Sequence, residues 1–365
     1  IVQTEPANQV ANRMLADLNL KGGQLKEAED RLLRIVEASP ALGLPLAKIQ
    51  TALNRSPEQI EYHLENSTRY YSDLLSKDPS NVEVRIRCVE AQIFAGKLRD
   101  AEQVLKEGLA ENDCDELRAE LADLYVLMAQ RELQLSILNR DRAAAYLVKA
   151  AHLAPTNSEI TAQILMLASG GAVFSATDLE PSIAAQSAIA SLPFENEMQL
   201  SQLLAIAGRS EEAIVRMDPL VESDIRFKVM KARHLIVLKK TEEAAVVLNQ
   251  VIKEFAERAE NLSISSVITY AEALTLLSLH EEATEILKAA IETRHSSDTK
   301  VGGENPNSAP KAEDLTLLQS AYGQCCLLAF NSRLKAGGFE NPQDGIQLLE
   351  EALNTNSVSL LVLER

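Results

Sequence analysis

A short pattern recurs six times along this chain: an Ala opens an apolar helical run and a large residue follows four positions later. The anchors are Ala28, Ala101, Ala143, Ala213, Ala244 and Ala283, answered by Leu32, Leu105, Leu147, Met217, Leu248 and Leu287. An acidic residue precedes each Ala except Ala143, which follows Arg142. Gly23, Gly96 and Gly208 stand five residues upstream of their anchors, and Pro40 and Pro155 stand twelve downstream of theirs. A helix-turn-helix unit of this size cannot bury its own apolar face, so the units must stack, and a stack exposes one long continuous surface. Length sets no domain count for such a chain, because a stack grows by addition and has no single core to saturate.

Composition agrees with closely packed helices. Hydrophobic residues make up 46% of the chain, but aromatics only 4% and Trp is absent, so strand formers are scarce. The formal net charge is −17, from 53 acidic and 36 basic residues. A phosphate backbone or an anionic membrane surface is repelled by that balance, which argues against nucleic acid as a partner. No apolar run approaches the ~20 residues that span a bilayer, so no direct membrane insertion is expected. Cys88, Cys114, Cys325 and Cys326 are too irregular for a disulfide framework and read as free thiols in helix packing, which leans toward a reducing compartment and so toward the cytoplasm. The opening Ile1-Val2-Gln3-Thr4-Glu5 lacks an initiator Met and a signal-peptide pattern, the expectation for a piece of a longer chain.

Helix-period spacing runs almost end to end and predicts about eighteen helices in nine antiparallel pairs. The first pair covers residues 5–21 and 24–38. Ser56-Pro57-Glu58 starts a long helix that ends before Asp78, since Ser caps well and Pro fits the first helical position. A second long helix is expected near 114–138, with a partner at 141–153. Residues 169–178 are weak for helix and read as a hinge between an array over 1–168 and another over 179–293. The stretch 294–310 reads as a flexible loop, and 311–365 as a closing long pair.

These residues resemble the tetratricopeptide repeat family. Its unit of about 34 residues places a small residue at the tight contact in the second helix, a large apolar residue four later, and Pro near the end. Gly23-Gln24-Leu25-Lys26-Glu27-Ala28, then Leu32, Ile35 and Pro40, follow the second half of that pattern. Gly96 to Ala101 with Leu105, and Gly208 to Ala213 with Met217 and Leu220, repeat it. The resemblance implies an all-α fold, an α-solenoid in the form of a right-handed superhelix. The anchors are spaced by 73, 42, 70, 31 and 39 residues, so the array is irregular and several units carry longer helices or loops.

The family's inner wall is lined by the first helices of successive pairs. Matching by register puts Glu83, Ile86, Arg87 and Glu90 on one inner helix, Glu195, Gln199 and Gln202 on another, and Arg226, Val229, Arg233 and Ile236 on the next. One subgroup of the family clamps the C-terminal carboxylate of heat-shock chaperones with Lys, Arg and Asn, but the paired Asn are missing here. The candidate partner-binding residues are therefore Arg87, Glu90, Gln199, Gln202, Arg226, Met230 and Arg233. The Arg226/Met230/Arg233 face has two readings: a solvated face with ordinary ion pairs, or a basic groove that holds an acidic or C-terminal peptide through Arg forks.

His63, His152, His234, His280 and His295 are scattered without metal-ligand spacing, and no phosphate loop or nucleophile elbow occurs. No catalytic residue, metal or cofactor is expected. The function expected is a non-enzymatic scaffold or adaptor that binds an extended peptide or helix of a protein partner in the concave groove. The alternative is a sensing or regulatory segment of a larger multidomain protein.

Overall fold

The protein is described from a computed structural model over residues 8–136, 139–257, 263–300, 312–335 and 342–354. Among these residues there are eighteen α-helices and one 3-10 turn at Pro40–Leu42, and no strand. By contacts the chain falls into two compact units, residues 1–173 with 177–188, and residues 174–176 with 189–365.

The first unit pairs α1 (Gln9–Lys21) with α2 (Leu25–Leu33), α3 (Gly43–Ala52) with α4 (Pro57–Lys77), and α5 (Val82–Phe94) with α6 (Leu98–Glu111). It continues with α7 (Asp115–Leu135) and α8 (Arg140–Leu153), then α9 (Ser158–Ser169) and α10 (Ala176–Ser187). The second unit pairs α11 (Phe194–Ile206) with α12 (Ser210–Met217), and α13 (Ile225–Val237) with α14 (Thr241–Glu257). Its remaining helices are α15 (Ile264–Leu276), α16 (His280–Lys300), α17 (Ala312–Lys335) and α18 (Pro342–Asn354). Within each unit successive pairs stack as an α-solenoid, and first helices also touch first helices, α3 on α5, α5 on α7, α11 on α13, α13 on α15 and α15 on α17. Those contacts define an inner wall.

One turn geometry closes seven of the pairs. Gly23, Asn54, Gly96, Gly171, Gly208, Lys239 and Ser278 all adopt the left-handed conformation, with φ between 53° and 95°. In each case the next amide donates back to the carbonyl five residues earlier: Gln24 to Asn19 (2.8 Å), Arg55 to Gln50 (2.9 Å), Lys97 to Gln92 (2.8 Å), and Lys240 to Leu235 (2.8 Å) are examples. This is the helix stop in which a left-handed residue lets two orphan carbonyls find amides. It reverses the chain, and in five of the seven an anchor Ala follows five residues on and meets the first helix. Ala28 faces the level of Ala16, Ala244 that of Ala232, and Ala283 that of Ala271; all six are essentially fully buried. Small residues there let the two backbones close up, while Leu32, Leu105, Met217, Leu248 and Leu287 are buried one turn on, a burial worth roughly 1.5–3 kcal/mol each.

Local signals set the other boundaries. Ser56 caps α4 by accepting from the Gln59 amide at 3.4 Å, with Pro57 as the first helical residue. Asn81 and Asn157 cap α5 and α9 in the same manner. The first pair is shorter than the spacing predicts: α2 stops at Leu33, and a turn leads into the 3-10 segment at Pro40. Residues 169–178 hold the left-handed turn at Gly171 and the first residues of α10. The stretch read as a loop over 294–310 is helical as far as Lys300, since its opening residues include neither Gly nor Pro and extending a formed helix is easy; residues 301–310 lie outside the described residues.

Two glycines test different constraints. A Cβ on Gly43 would lie 2.3 Å from the His63 carbonyl oxygen and 2.9 Å from Ser67 Cβ, where α3 crosses α4, whereas a Cβ on Gly96 would meet nothing but would be held at φ +74°. Gly43→Ala is expected to lower unfolding free energy by about 2–3 kcal/mol through overpacking, and Gly96→Ala by about 1 kcal/mol through backbone strain alone. Urea denaturation of both variants checks the order.

Candidate functional site

The inner wall of the first unit opens at α5 and α7 into a groove of about 490 Å³. Its floor is apolar, from Val82, Ile86 and the half-buried Cys114 that precedes α7, and Glu83, Arg87, Glu90 and Glu116 stand along it. The helix geometry explains the alignment. Positions 83, 87, 90 and 94 of α5 fall on one face, and α7 repeats the spacing at Glu116, Glu120, Asp123 and Leu127. The Arg131 guanidinium of α7 donates to the Gly96 carbonyl at 3.4 Å and fixes the two helices in register. Behind them, Arg85 is buried and donates to the Pro79 carbonyl at 2.7 Å and the Val104 carbonyl at 2.6 Å, tying α5 to its preceding turn and to α6.

Of the sequence candidates, Arg87 and Glu90 lie in this groove. Arg87 Nη1 donates to Glu90 Oε2 at 3.0 Å and its side chain is 53% exposed. Register matching marks α5 but not α7, although the repeat of 83/87/90/94 at 116/120/123/127 is present in the sequence. Burial, Asp123 and Glu90 together push the Glu120 carboxyl above the usual carboxylate range.

The second unit also carries a groove of about 490 Å³, but a polar one, lined by Asp224, Arg226, Lys228, Glu254, Ser263 and Ser265, and the wall beside it is filled at Met230 and Thr269. Met230 and Thr269 are 5% and 6% exposed, so Met230 offers no surface to a ligand. Gln199 and Gln202 are half-buried on α11. Arg226 is fully engaged: its Nε and Nη2 donate to Asp224 at 3.0 and 2.8 Å, it reaches Glu195 at 3.5 Å, and its guanidinium lies 3.6 Å from the centre of the Phe194 ring. Asp224 in turn caps α13 through the Arg226 amide. Arg233 bonds Glu272 of α15. Across this face ion pairs join the inner helices, Arg226 to Glu195 of α11 and Arg233 to Glu272 of α15.

One buried pair invites a catalytic reading and does not sustain it. Ser201 Oγ lies 2.7 Å from His234 Nε2 and 3.2 Å from Met217 Sδ, but serine and histidine are 2% and 1% exposed, and His234 Nδ1 has no partner that would orient it as a base. Among the described residues no group of three or more His, Cys, Asp or Glu could hold a metal ion, and no helix is long and apolar enough to cross a membrane.

The groove lies inside the segment that known sequences recognise: the tetratricopeptide repeat family model matches residues 63–124, from within α4 to within α7. Residues 63–124 are thus a tetratricopeptide repeat segment. No curated protein matches the chain. Among solved structures, a tetratricopeptide repeat protein from Parabacteroides merdae is 15% identical over 85% of this chain and 98% of its own, with a TM-score of 0.29. The tetratricopeptide repeat domain of P58(IPK) is 16% identical over 96% of this chain and 98% of its own, with a TM-score of 0.24. The structure of Naa15/Naa10 bound to HypK-THB is 13% identical over 89% of this chain and 57% of that one, with a TM-score of 0.36. Tetratricopeptide repeats are in general a non-enzymatic scaffold for protein partners.

Burial in this repeat protein pulls the His234 pKa down from 6.5 to about 4, with nearby Arg233 adding to the effect. The unfolded chain therefore takes up this proton first as pH falls, so the histidine's contribution is complete above its unfolded pKa and is lost between there and about 4. The loss amounts to about 3 kcal/mol. Urea midpoints of wild type and His234→Gln are expected to converge over that window as the pH is lowered, and parallel pH dependence would count against it.

Proposed function

We propose that the chain is an interaction scaffold that seats an extended or helical segment of a protein partner along α5 and α7 of its first unit. The observation that carries this reading is the difference between the two inner walls. At α5 and α7 the inner positions line a groove of about 490 Å³ with an apolar floor, whereas the groove of the same size at α13 and α15 is lined mostly by polar side chains and its cations, Arg226 and Lys228, are already ion-paired. A groove between pre-formed helices limits the ordering cost of binding to the ligand's side. An apolar floor with charged walls gives a segment both a place to bury a side chain and a means of fixing register. The Arg226 and Arg233 face of the second unit is not part of this reading, because its cations already hold Asp224, Glu195 and Glu272.

Capture of partners from a lysate of the source organism, with Ile86→Arg and Val246→Arg compared, tests the assignment. Val246 is exposed on α14, away from the groove residues in sequence and in unit. A partner retained by Val246→Arg and by the double variant Arg226→Ala, Arg233→Ala, yet reduced about tenfold or more by Ile86→Arg, is the expected result. Equal capture by all variants would remove the groove from the function. Thermal unfolding of each variant separates loss of binding from loss of fold.

A further inference from the structure

The groove carries an electrostatic signature that narrows its occupant. Glu83 and Glu90 of α5 and Glu116 of α7 line the groove, Glu120 and Asp123 continue the same face of α7, and this strip holds one guanidinium, Arg87. Arg87 pairs with Glu90 and also attracts Glu83, and among the described residues Glu116, Glu120 and Asp123 have no ion-pair partner. Like charges meet across the two helices, as the upward shift of Glu120 caused in part by Glu90 and Asp123 records. The preceding inner helix α3 exposes Pro45 and Lys48 instead, so the acidic strip begins at α5. At its far end both helices expose an apolar side chain at the same step, Phe94 on α5 and Leu127 on α7.

Covering this surface with a neutral or acidic segment would desolvate carboxylates that already repel one another and give them no counter-charge. A segment with cations beside an apolar side chain relieves that repulsion and fills the floor at once. Resting on the reading of the groove as the binding face, we infer that its occupant is a basic segment of a protein partner: an apolar side chain sits on Val82 and Ile86 while Lys or Arg side chains lie against Glu83, Glu116, Glu120 and Asp123. The exposed Phe94 and Leu127 take a second apolar residue of the same segment. Nucleic acid and anionic lipid carry the same sign of charge as the strip and are repelled by it.

Selection from a random dodecapeptide display library on the full chain, with Ile86→Arg protein as the counter-selector, reads the preference without naming a partner. Peptides enriched in Lys and Arg around an aliphatic or aromatic residue are expected. Their affinity should fall about tenfold or more in Glu83→Lys, Glu120→Lys and steeply with added salt. It should be nearly unchanged in Glu27→Lys, Glu107→Lys, which alters net charge equally on the second helices α2 and α6. Enrichment of acidic or neutral peptides that still require Ile86 would overturn the basic occupant and leave the groove standing. Equal loss in the two charge-reversed proteins would reduce the effect to net charge and also overturn it. No Ile86-dependent peptide at all would overturn the groove and the occupant together.

Discussion

The backbone hydrogen bond that closes each left-handed turn is the constraint on which the rest of the protein depends. It fixes where the first helix ends, and because the next helix begins within a few residues, it fixes which residue of the second helix meets the first. The Ala at that contact sets the distance between the two backbones. With that distance set, the residue four positions on is buried in a cluster that takes in both its own pair and the helix that follows, as Leu32, Leu248 and Leu287 are. Seven turns share this geometry although only four use Gly; Asn54, Lys239 and Ser278 accept the conformation at a cost of about 1–2 kcal/mol, which shows how strongly the paired helices on either side enforce it.

Much of this was legible in the sequence because it is local. Ala at one place, a large residue one turn later, and Gly or a polar residue five before are sufficient to locate the pairs, and Ser56-Pro57 marks a helix start unaided. What was not legible depends on how successive first helices sit against each other. Register matching treats Arg87 of α5 and Met230 of α13 as the same position, yet one is half exposed and the other buried. The difference comes from the closer contact of α13 with α15, where Arg233 and Glu272 join the helices. Similarly, Arg226 reads as an available cation because its partners, Asp224 two residues before it and the Phe194 ring a repeat away, become neighbours only once the turn and stack exist. The α7 half of the groove escapes register matching because α7 runs to 21 residues, where the matched first helices α5, α11 and α13 have 13 each.

The two inner walls thus divide the work of a repeat in different ways. In the second unit, inner positions are spent on cohesion: a buried Met and ion pairs across helices. In the first unit, cohesion comes from elsewhere, through Arg85 at the back of α5, through the Glu29 carboxylate held by Arg55 at 2.6 Å, and through Tyr125 bonded to Glu102 at 2.9 Å. Because these contacts lie behind the wall, the surface residues of α5 and α7 are released from structural duty, and uncompensated carboxylates can be carried there.

The fixed distance between the left-handed residue and its Ala has an implication for how such a chain changes length. Near the turn an inserted residue would rotate the second helix by about 100° and lift the Ala out of its contact. At the opposite end of a pair no such coupling exists, and α4 and α7 reach 21 residues while α5 has 13. Growth is therefore confined to the open ends of the hairpins, where added turns of helix raise or lower the rim of the wall without disturbing its foundations, and the depth of a binding surface can drift between descendants while the fold that carries it stays in register.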